Sequence, residues 1–177
     1  MKNENASSAE GRKRQGGKLL PTLCSVIGTL ILLLVIVVCV PVTVPRIMGY
    51  EIYHVVSGSM EPEIPIGSAI YVKEEAPENI QEGDIIAFAS GDSVISHRVV
   101  KNQKVEGKFT TKGDANAEAD MNPVSYQSFI GKVAFHLPFL GAFLAIFTST
   151  VGKVYVLALA ACGVMLNILA GRMRGNR

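Results

Sequence analysis

Two long apolar stretches flank a middle region in which apolar and polar residues alternate over short runs. The first stretch covers residues 19–40, and the second is most concentrated over residues 154–170; neither contains a charged side chain. A helix needs about 20 apolar residues, and not fewer than about 17, to cross the hydrocarbon core of a bilayer. Both stretches are therefore predicted to be transmembrane helices.

Each stretch has a competing interpretation. The first could be a cleavable signal sequence, but its apolar run exceeds the roughly 7–15 residues typical of such sequences, and PVTVPR rather than a small-x-small site follows it. We therefore predict an uncleaved anchor, with Pro41 and Pro45 ending the helix. The second could be a buried helix of a globular domain, but so small a core would leave too many of its apolar residues uncovered.

The middle region predicts a β domain. Short runs rich in β-branched and aromatic residues are separated by Gly, Pro, Asn, Asp and Ser, and no window of eleven residues has a helical period. We predict a mainly β fold, a compact all-β domain over residues 41–136 between the two transmembrane helices. Residues 137–153 are expected to lie at the membrane interface. The predicted strands cover residues 51–56, 69–73, 84–89, 94–101, 103–111 and 129–135.

Charge predicts the orientation in the membrane. Lys and Arg concentrate in residues 1–18, which we expect to be a disordered tail, and in residues 171–177. Because positively charged flanks stay in the cytoplasm, both termini are predicted to be cytoplasmic and the β domain to lie on the outer face. The net charge is only +2, and no basic patch is interleaved with aromatics, so we predict no nucleic-acid partner.

The three cysteines lie in the predicted transmembrane helices: Cys24 and Cys39 in the first and Cys162 in the second. The β domain therefore has no disulfide framework and no zinc-type ligand spacing. We predict neither a metal nor a cofactor.

Three separate motifs of the middle region carry candidate chemistry. Ser59 stands in the flexible sequence SGSMEP, His97 lies in the β-type run SHRVV, and Asp114 and Asp120 lie in and after TKGDAN. Alone, each is most simply an ordinary turn or a structural residue. Together they supply a nucleophile, a base and a carboxylate, which acyl transfer requires. His54 and His136 are assigned to structure or interface.

These motifs, with IGSAIYV and GDIIAF, occur in an order and at a spacing that resemble the type I signal peptidases over about residues 55–133. The histidine at position 97, where the larger bacterial subgroup has a lysine, resembles the Ser-His-Asp subgroup. The resemblance implies that Ser59 is the nucleophile and His97 the general base. It also implies that Asp120 orients His97 with Asp114 in support, although the sequence does not separate the two carboxylates, and that the Ser59 N–H and the Ser57 hydroxyl form the oxyanion hole.

The resemblance implies a serine endopeptidase that removes signal peptides from exported preproteins after small side chains at −1 and −3. Its partners would be signal peptides and the lipid bilayer; nothing in the sequence identifies an accessory subunit. In the family that the chain resembles, a second transmembrane helix is common in sporulating Gram-positive bacteria and archaea, so the resemblance further implies a prokaryotic, multi-pass protein of the plasma membrane. Two alternatives remain, a membrane-anchored β domain that binds a partner without catalysis and a soluble self-cleaving repressor. The predicted transmembrane helices and the lack of a DNA-reading domain disfavour the repressor.

Overall fold

The computed structural model describes the backbone of residues 4–175 and, Thr148 excepted, the side chains of residues 19–174. The helices are α1 (Glu4–Ile47), α2 (Leu140–Thr148) and α3 (Thr150–Gly175). The strands are β1 (Tyr50–His54), β2 (Ala69–Lys73), β3 (Ile85–Ser90), β4 (Ser93–Gln103), β5 (Lys108–Lys112), β6 (Val124–Ser125) and β7 (Phe129–Leu137). The chain forms two compact units: Pro41–Ser149, and Met1–Val40 together with Thr150–Arg177.

A seven-stranded antiparallel sheet forms the unit from Pro41 to Ser149, which confirms the predicted mainly β fold. The strand order is β1-β2-β7-β3-β4-β5-β6. The predicted strand over residues 103–111 is wrong at its start, since Gln103 ends β4 and β5 begins only at Lys108. A turn lies between them, in which Gly107 adopts a φ of +64° that side-chain-bearing residues rarely adopt. β6 has only two residues and was not predicted.

Among the described residues, three apolar clusters stabilise the sheet, and the third packs α2 against β2. Met60 and Ile64, from the segment after β1, pack with residues of β2, β3 and β7. Phe109, at the centre of the second cluster, is completely buried and packs against aromatic residues that follow β5 in the chain. β4 contributes Val99 to this second cluster, and two residues earlier in the same strand lies His97.

α1 runs to Ile47, so the prediction that Pro41 and Pro45 end the helix is wrong. Proline has no N–H, and Pro45 therefore leaves the carbonyl oxygen of Pro41, four residues earlier, without its usual helical donor. The hydroxyl of Tyr71, which is completely buried, donates a hydrogen bond of 3.0 Å to that oxygen. Burial raises the pKa of Tyr71, so the hydroxyl keeps its proton. A side chain distant in sequence thus replaces a missing helical donor.

α1 and α3 contain the two candidate membrane spans, Leu19–Ile47 and Thr150–Arg174, which are long and apolar enough to cross a bilayer. They contact each other through small and polar residues. A Cβ on Gly28 would lie 2.6 Å from the Asn167 Nδ2 atom and 2.7 Å from the Gly163 carbonyl oxygen. The hydroxyls of Ser25 and Thr29 donate to Asn167 Oδ1, each at 3.3 Å. Glycine permits this close approach, and the hydroxyls pair the amide, as is typical of packed membrane helices.

The two predicted tails are helical where they are described. α1 already begins at Glu4, so the prediction of a disordered tail is wrong from that residue onward. Half of residues 1–18 are Ala, Glu, Lys or Arg, which favour a helix, and the helix persists there although the tail also contains three glycines. Residues 1–3 and 176–177 lie outside the described residues.

The segment predicted to be interfacial, residues 137–153, contains the short apolar helix α2. Leu144 is buried against Ala69 and Tyr71, whereas Phe139 and Ile146 are exposed. The backbone N–H of Gly141 donates to the Gly67 carbonyl oxygen at 2.8 Å, and α2 is thereby attached to the loop before β2.

Candidate functional site

The serine motif forms the turn after β1. Met60 and Ile64 are buried in the core, and the N–H of Ile64 donates to the carbonyl oxygen of Met60 at 2.9 Å. These apolar anchors leave Ser59 half-buried and Ser57 exposed. The motif forms this turn because Ser57, Gly58 and Ser59 are small or polar, whereas the residue that follows them, Met60, is apolar and buried in the core. Ser59 is therefore held at the surface by the buried residue that follows it.

His97 lies on β4 and pairs with Asp120. The ring is buried, with its Nδ1 atom 2.6 Å from Asp120 Oδ2. Alternate residues of a strand share a face, so His97 lies on the same side as the buried Val99. The rings of His97 and of Phe88 on the neighbouring β3 make an edge-type contact, with the ring centroids 6.1 Å apart and the ring planes at 70°. The apolar ring of Phe88 and the carboxylate of Asp120 thus determine the orientation of the imidazole.

The pairing with Asp120 also determines which ring nitrogen is free. An ionised carboxylate only accepts hydrogen bonds, so the neutral imidazole carries its proton on Nδ1 and donates it to Asp120. Nε2 then has a free lone pair. A histidine in this tautomer is able to accept a proton from a hydroxyl at Nε2.

Asp114 binds a different partner. Its two carboxylate oxygens accept hydrogen bonds from Nε and Nη2 of Arg98, at 2.8 and 2.6 Å. The Nη1 atom of Arg98 donates to the carbonyl oxygen of Gly83 at 2.8 Å. The hydrogen bonds to Asp114 raise the pKa of Arg98, which stays charged. The residue next to His97 in sequence therefore fixes the Gly-Asp turn through a two-pronged ion pair.

The acidic loop also contacts the serine turn. The backbone N–H of Ala115 donates to the carbonyl oxygen of Ser59 at 3.0 Å. A Cβ on Gly113 would lie only 2.6 Å from the same oxygen, a distance that real Cβ atoms do not reach. The loop is thus hydrogen-bonded to the Ser59 backbone and ion-paired to β4 beside His97.

The structure brings most of the predicted site residues into one connected arrangement. His97 and Asp120 are hydrogen-bonded directly, whereas Asp114 reaches Ser59 only through the loop backbone. Within residues 4–175, no hydrogen bond joins the Ser59 hydroxyl to the His97 ring. Catalytic hydrogen bonds of this kind are often long without substrate and tighten when substrate binds.

The predicted oxyanion hole would consist of two hydrogen-bond donors. Over the described part of the chain, neither the Ser59 N–H nor the Ser57 hydroxyl donates to a protein acceptor. Both lie in the same turn, and both are available to a bound carbonyl oxygen. Among the described side chains, no group of three or more His, Cys, Asp and Glu is placed to hold a metal ion.

Three residues of the arrangement were not assigned a role from sequence. Arg98 holds Asp114, Gly113 permits the approach to Ser59, and Thr111 donates to Asp120 Oδ2 at 2.7 Å. The alternation along β5 did indicate Thr111, because it is a polar residue at a position whose side chain faces the core. Nothing in the sequence indicated the partner of Arg98, since that depends on the path of the loop.

Comparison with known proteins finds a family that part of this chain resembles. The family model described as "Signal peptidase, peptidase S26" matches residues 27–113, which include Ser57, Ser59 and His97 but end before Asp114 and Asp120. Signal peptidase I W of Bacillus subtilis (strain 168) is 45% identical over 85 residues, covering 46% of this chain and 45% of the relative. Signal peptidase complex catalytic subunit SEC11C of Homo sapiens is 33% identical over 99 residues, covering 49% of this chain and 52% of the relative.

The chain spans about half the length of the curated relatives it matches. The similarity covers the end of α1, the serine turn and the strand that carries His97. Over residues 27–113, the chain is similar to the signal peptidase S26 family.

Proposed function

We propose that this protein is a membrane-bound serine endopeptidase, a type I signal peptidase, that removes signal peptides from exported preproteins. The observation that carries the proposal is the hydrogen bond between His97 and Asp120, formed beside a loop that also binds the Ser59 backbone. The family relationship supports the same activity, and the relatives are named as signal peptidases.

The first half of the reaction is acyl transfer to Ser59. His97 Nε2 takes the proton of the Ser59 hydroxyl while the oxygen attacks the scissile carbonyl carbon, forming a tetrahedral intermediate. The negative charge on the former carbonyl oxygen is stabilised by the Ser59 N–H and the Ser57 hydroxyl. As the C–N bond breaks, His97 returns the proton to the leaving amine, which becomes the N-terminus of the mature protein. The signal peptide stays attached as an ester of Ser59.

The second half is hydrolysis of that ester. His97 Nε2 takes a proton from water, the resulting hydroxide attacks the ester carbon, and the proton passes to the Ser59 oxygen as the ester bond breaks. Throughout, Asp120 accepts the Nδ1 hydrogen bond and stabilises the positive charge that the imidazole acquires in each step.

The substrate is proposed to bind as an extended strand. β1 lies at one edge of the sheet and leads into the Ser57–Ser59 turn. Its free edge offers backbone hydrogen bonds to a peptide, and alternate side chains of that peptide then point toward the enzyme. Small side chains at −1 and −3, two residues apart, fit this alternation, as the family resemblance implies.

The membrane holds both the enzyme and the signal peptide of its substrate. The candidate spans lie on either side of the β domain in sequence, and confinement of enzyme and signal peptide to one bilayer raises their effective concentration. We propose that both termini are cytoplasmic and that the β domain lies on the outer face of the plasma membrane. Ser93→Cys, in a background without the three native cysteines, should react with an impermeant thiol reagent only from the outer side.

The activity is tested with the full chain in detergent and a preprotein bearing an Ala-x-Ala site. We expect cleavage after the second alanine, and loss of cleavage when the −1 alanine is replaced by leucine. Ser59→Ala should abolish cleavage, whereas Ser93→Ala, an exposed hairpin serine, should not change it. Cleavage by Ser59→Ala at the wild-type rate would overturn the proposal.

The competing function is a membrane-anchored β domain that binds a partner without catalysis. It predicts that the wild-type protein, also after reconstitution into vesicles, binds preproteins without cleaving them. The free oxyanion donors and the paired His97 favour catalysis, because a binding role requires neither.

A further inference from the structure

Thr111 is a buried polar residue beside the His97–Asp120 pair. It lies on β5, where it pairs with Val99 of β4, and its exposed fraction is 0%. Val99 and His97 lie two residues apart and share a face, so Thr111 faces the same side of the sheet as His97. A hydroxyl buried there is costly unless it has a hydrogen-bond partner.

That partner is Asp120. Thr111 Oγ1 donates to Asp120 Oδ2 at 2.7 Å, and the Asp120 N–H donates to the Thr111 carbonyl oxygen at 2.8 Å. One residue thus holds the backbone and the side chain of Asp120. Asp120 itself lies outside any strand or helix and ends the acidic loop, so no regular element of its own fixes its carboxylate.

The two side-chain hydrogen bonds meet at the same oxygen. Asp120 Oδ2 accepts from His97 Nδ1 at 2.6 Å and from Thr111 Oγ1 at 2.7 Å. A carboxylate oxygen has room for two donors, and the second one restricts how far the carboxylate turns. Without the hydroxyl, Asp120 is free to rotate away from Nδ1, and the imidazole loses the partner that specifies its tautomer.

We propose that Thr111 is a positioning residue, whose hydroxyl holds the Asp120 carboxylate in the orientation that keeps the His97 proton on Nδ1 and leaves Nε2 free to take the Ser59 proton. The effect on rate rests on the proposed peptidase function. The effect on the His97 tautomer does not, because it follows from the hydrogen bonds alone.

The experiment compares Thr111→Val, which keeps the shape and removes the donor, with Thr111→Ser, which keeps the donor. Thr110→Val is the matched control, because Thr110 is the adjacent strand residue and its hydroxyl makes no hydrogen bond within the described residues. Cleavage of an Ala-x-Ala preprotein gives kcat and KM. In parallel, ¹⁵N spectra of histidine-labelled protein report the tautomer of His97, assigned with His97→Ala.

We expect Thr111→Val to lower kcat by about 10- to 100-fold, the factor that one hydrogen bond to a charged group is worth, with KM changed less than about twofold. The His97 signals should shift toward a mixture of tautomers. Thr111→Ser and Thr110→Val should keep both the wild-type rate and the wild-type spectrum. If Thr111→Val does not fold, Thr111→Ala gives the same comparison.

A Thr111→Val or Thr111→Ala protein with unchanged kcat and an unchanged His97 spectrum overturns the proposal. So does a loss of activity that Thr111→Ser shares, because a donor-independent loss indicates a packing role. If the wild-type protein does not cleave, the peptidase proposal fails, and the His97 spectra alone still decide whether Thr111 sets the tautomer.

Discussion

The backbone N–H of Ala115 donates a hydrogen bond of 3.0 Å to the carbonyl oxygen of Ser59. Through this contact the acidic loop, whose Asp114 is ion-paired to Arg98, is attached to the serine turn. Arg98 directly follows His97 on β4. The positions of Ser59 and His97 therefore depend on one short loop, and small changes in that loop should alter catalysis without unfolding the sheet.

Gly113→Ala tests this dependence. The new Cβ would lie 2.6 Å from the Ser59 carbonyl oxygen, so the loop or the serine turn must move. Displacement of a catalytic group by about 1 Å is able to cost about 100-fold in rate. We expect kcat to fall by a factor of that order while the circular dichroism spectrum is retained. Gly171→Ala, where a Cβ meets no atom within 4 Å, is the control; equal rates for both variants would contradict the account.

Substitution of Asp120 and substitution of Asp114 should have different effects on kcat and on the thermal midpoint. Asp120→Asn removes the carboxylate that His97 Nδ1 binds, and we expect kcat to fall by about 10³- to 10⁴-fold, as for other triads that lose this group. Asp114→Asn weakens the two-pronged pair with Arg98 that holds the loop, so we expect a smaller loss of kcat than in Asp120→Asn together with a lower thermal midpoint. Measurements of kcat and thermal midpoint on both variants check this. A larger loss of kcat in Asp114→Asn would reverse the two roles.

Stability at high pH should depend on Tyr53. Burial, together with the hydrogen bond and the negative charge of Glu51, raises the pKa of Tyr53 from 10.0 to about 12. A folded-state pKa above the unfolded value means that this contribution to stability is complete below pH 10 and is lost as the pH rises toward 12. We expect the stability difference between wild type and Tyr53→Phe to be constant below pH 10 and to decline above it. A difference that stays constant up to pH 12 would contradict the raised pKa.

The contact between α1 and α3 should be sensitive to side-chain size. Gly28→Ala places a methyl group 2.6 Å from Asn167 Nδ2 and 2.7 Å from the Gly163 carbonyl oxygen. We expect a destabilisation of about 1 kcal/mol, the size of single interhelical contacts in membrane proteins. Thermal denaturation in detergent measures it, again beside Gly171→Ala. A Gly28→Ala protein as stable as wild type would show that the two helices do not pack closely at this point.

The alternation of apolar and polar residues was enough to predict the sheet and its approximate strands. It also predicted that His97 lies within a strand, because the residues on both sides of position 97 form a β-branched run. The end of α1 was not predictable in the same way. Pro41 and Pro45 are ordinary helix-ending signals, and the hydroxyl that offsets them belongs to Tyr71, 30 residues from Pro41.

The division of roles between Asp114 and Asp120 was not predictable either. Both carboxylates lie in one loop without regular structure, and sequence spacing does not indicate which of them folds back toward His97. The observed pairs depend on tertiary contacts, namely the Asp120 backbone bond to Thr111 and the Ala115 bond to Ser59. The burial of Thr111 was easier to predict, since alternation along β5 places its side chain on the core side. A hydroxyl buried there needs a hydrogen-bond partner.

The most direct test of the account is the rate of preprotein cleavage by the wild-type protein, Ser59→Ala and His97→Ala, at saturating enzyme, with His136→Ala as the histidine control. We predict cleavage after the Ala-x-Ala site by the wild-type and His136→Ala proteins at similar rates. Both active-site variants should be slower by about 10⁴-fold or more, because a nucleophile and its base act as one unit. Full activity of the His97→Ala protein would contradict the assignment of the base, and full activity of Ser59→Ala would contradict the central claim.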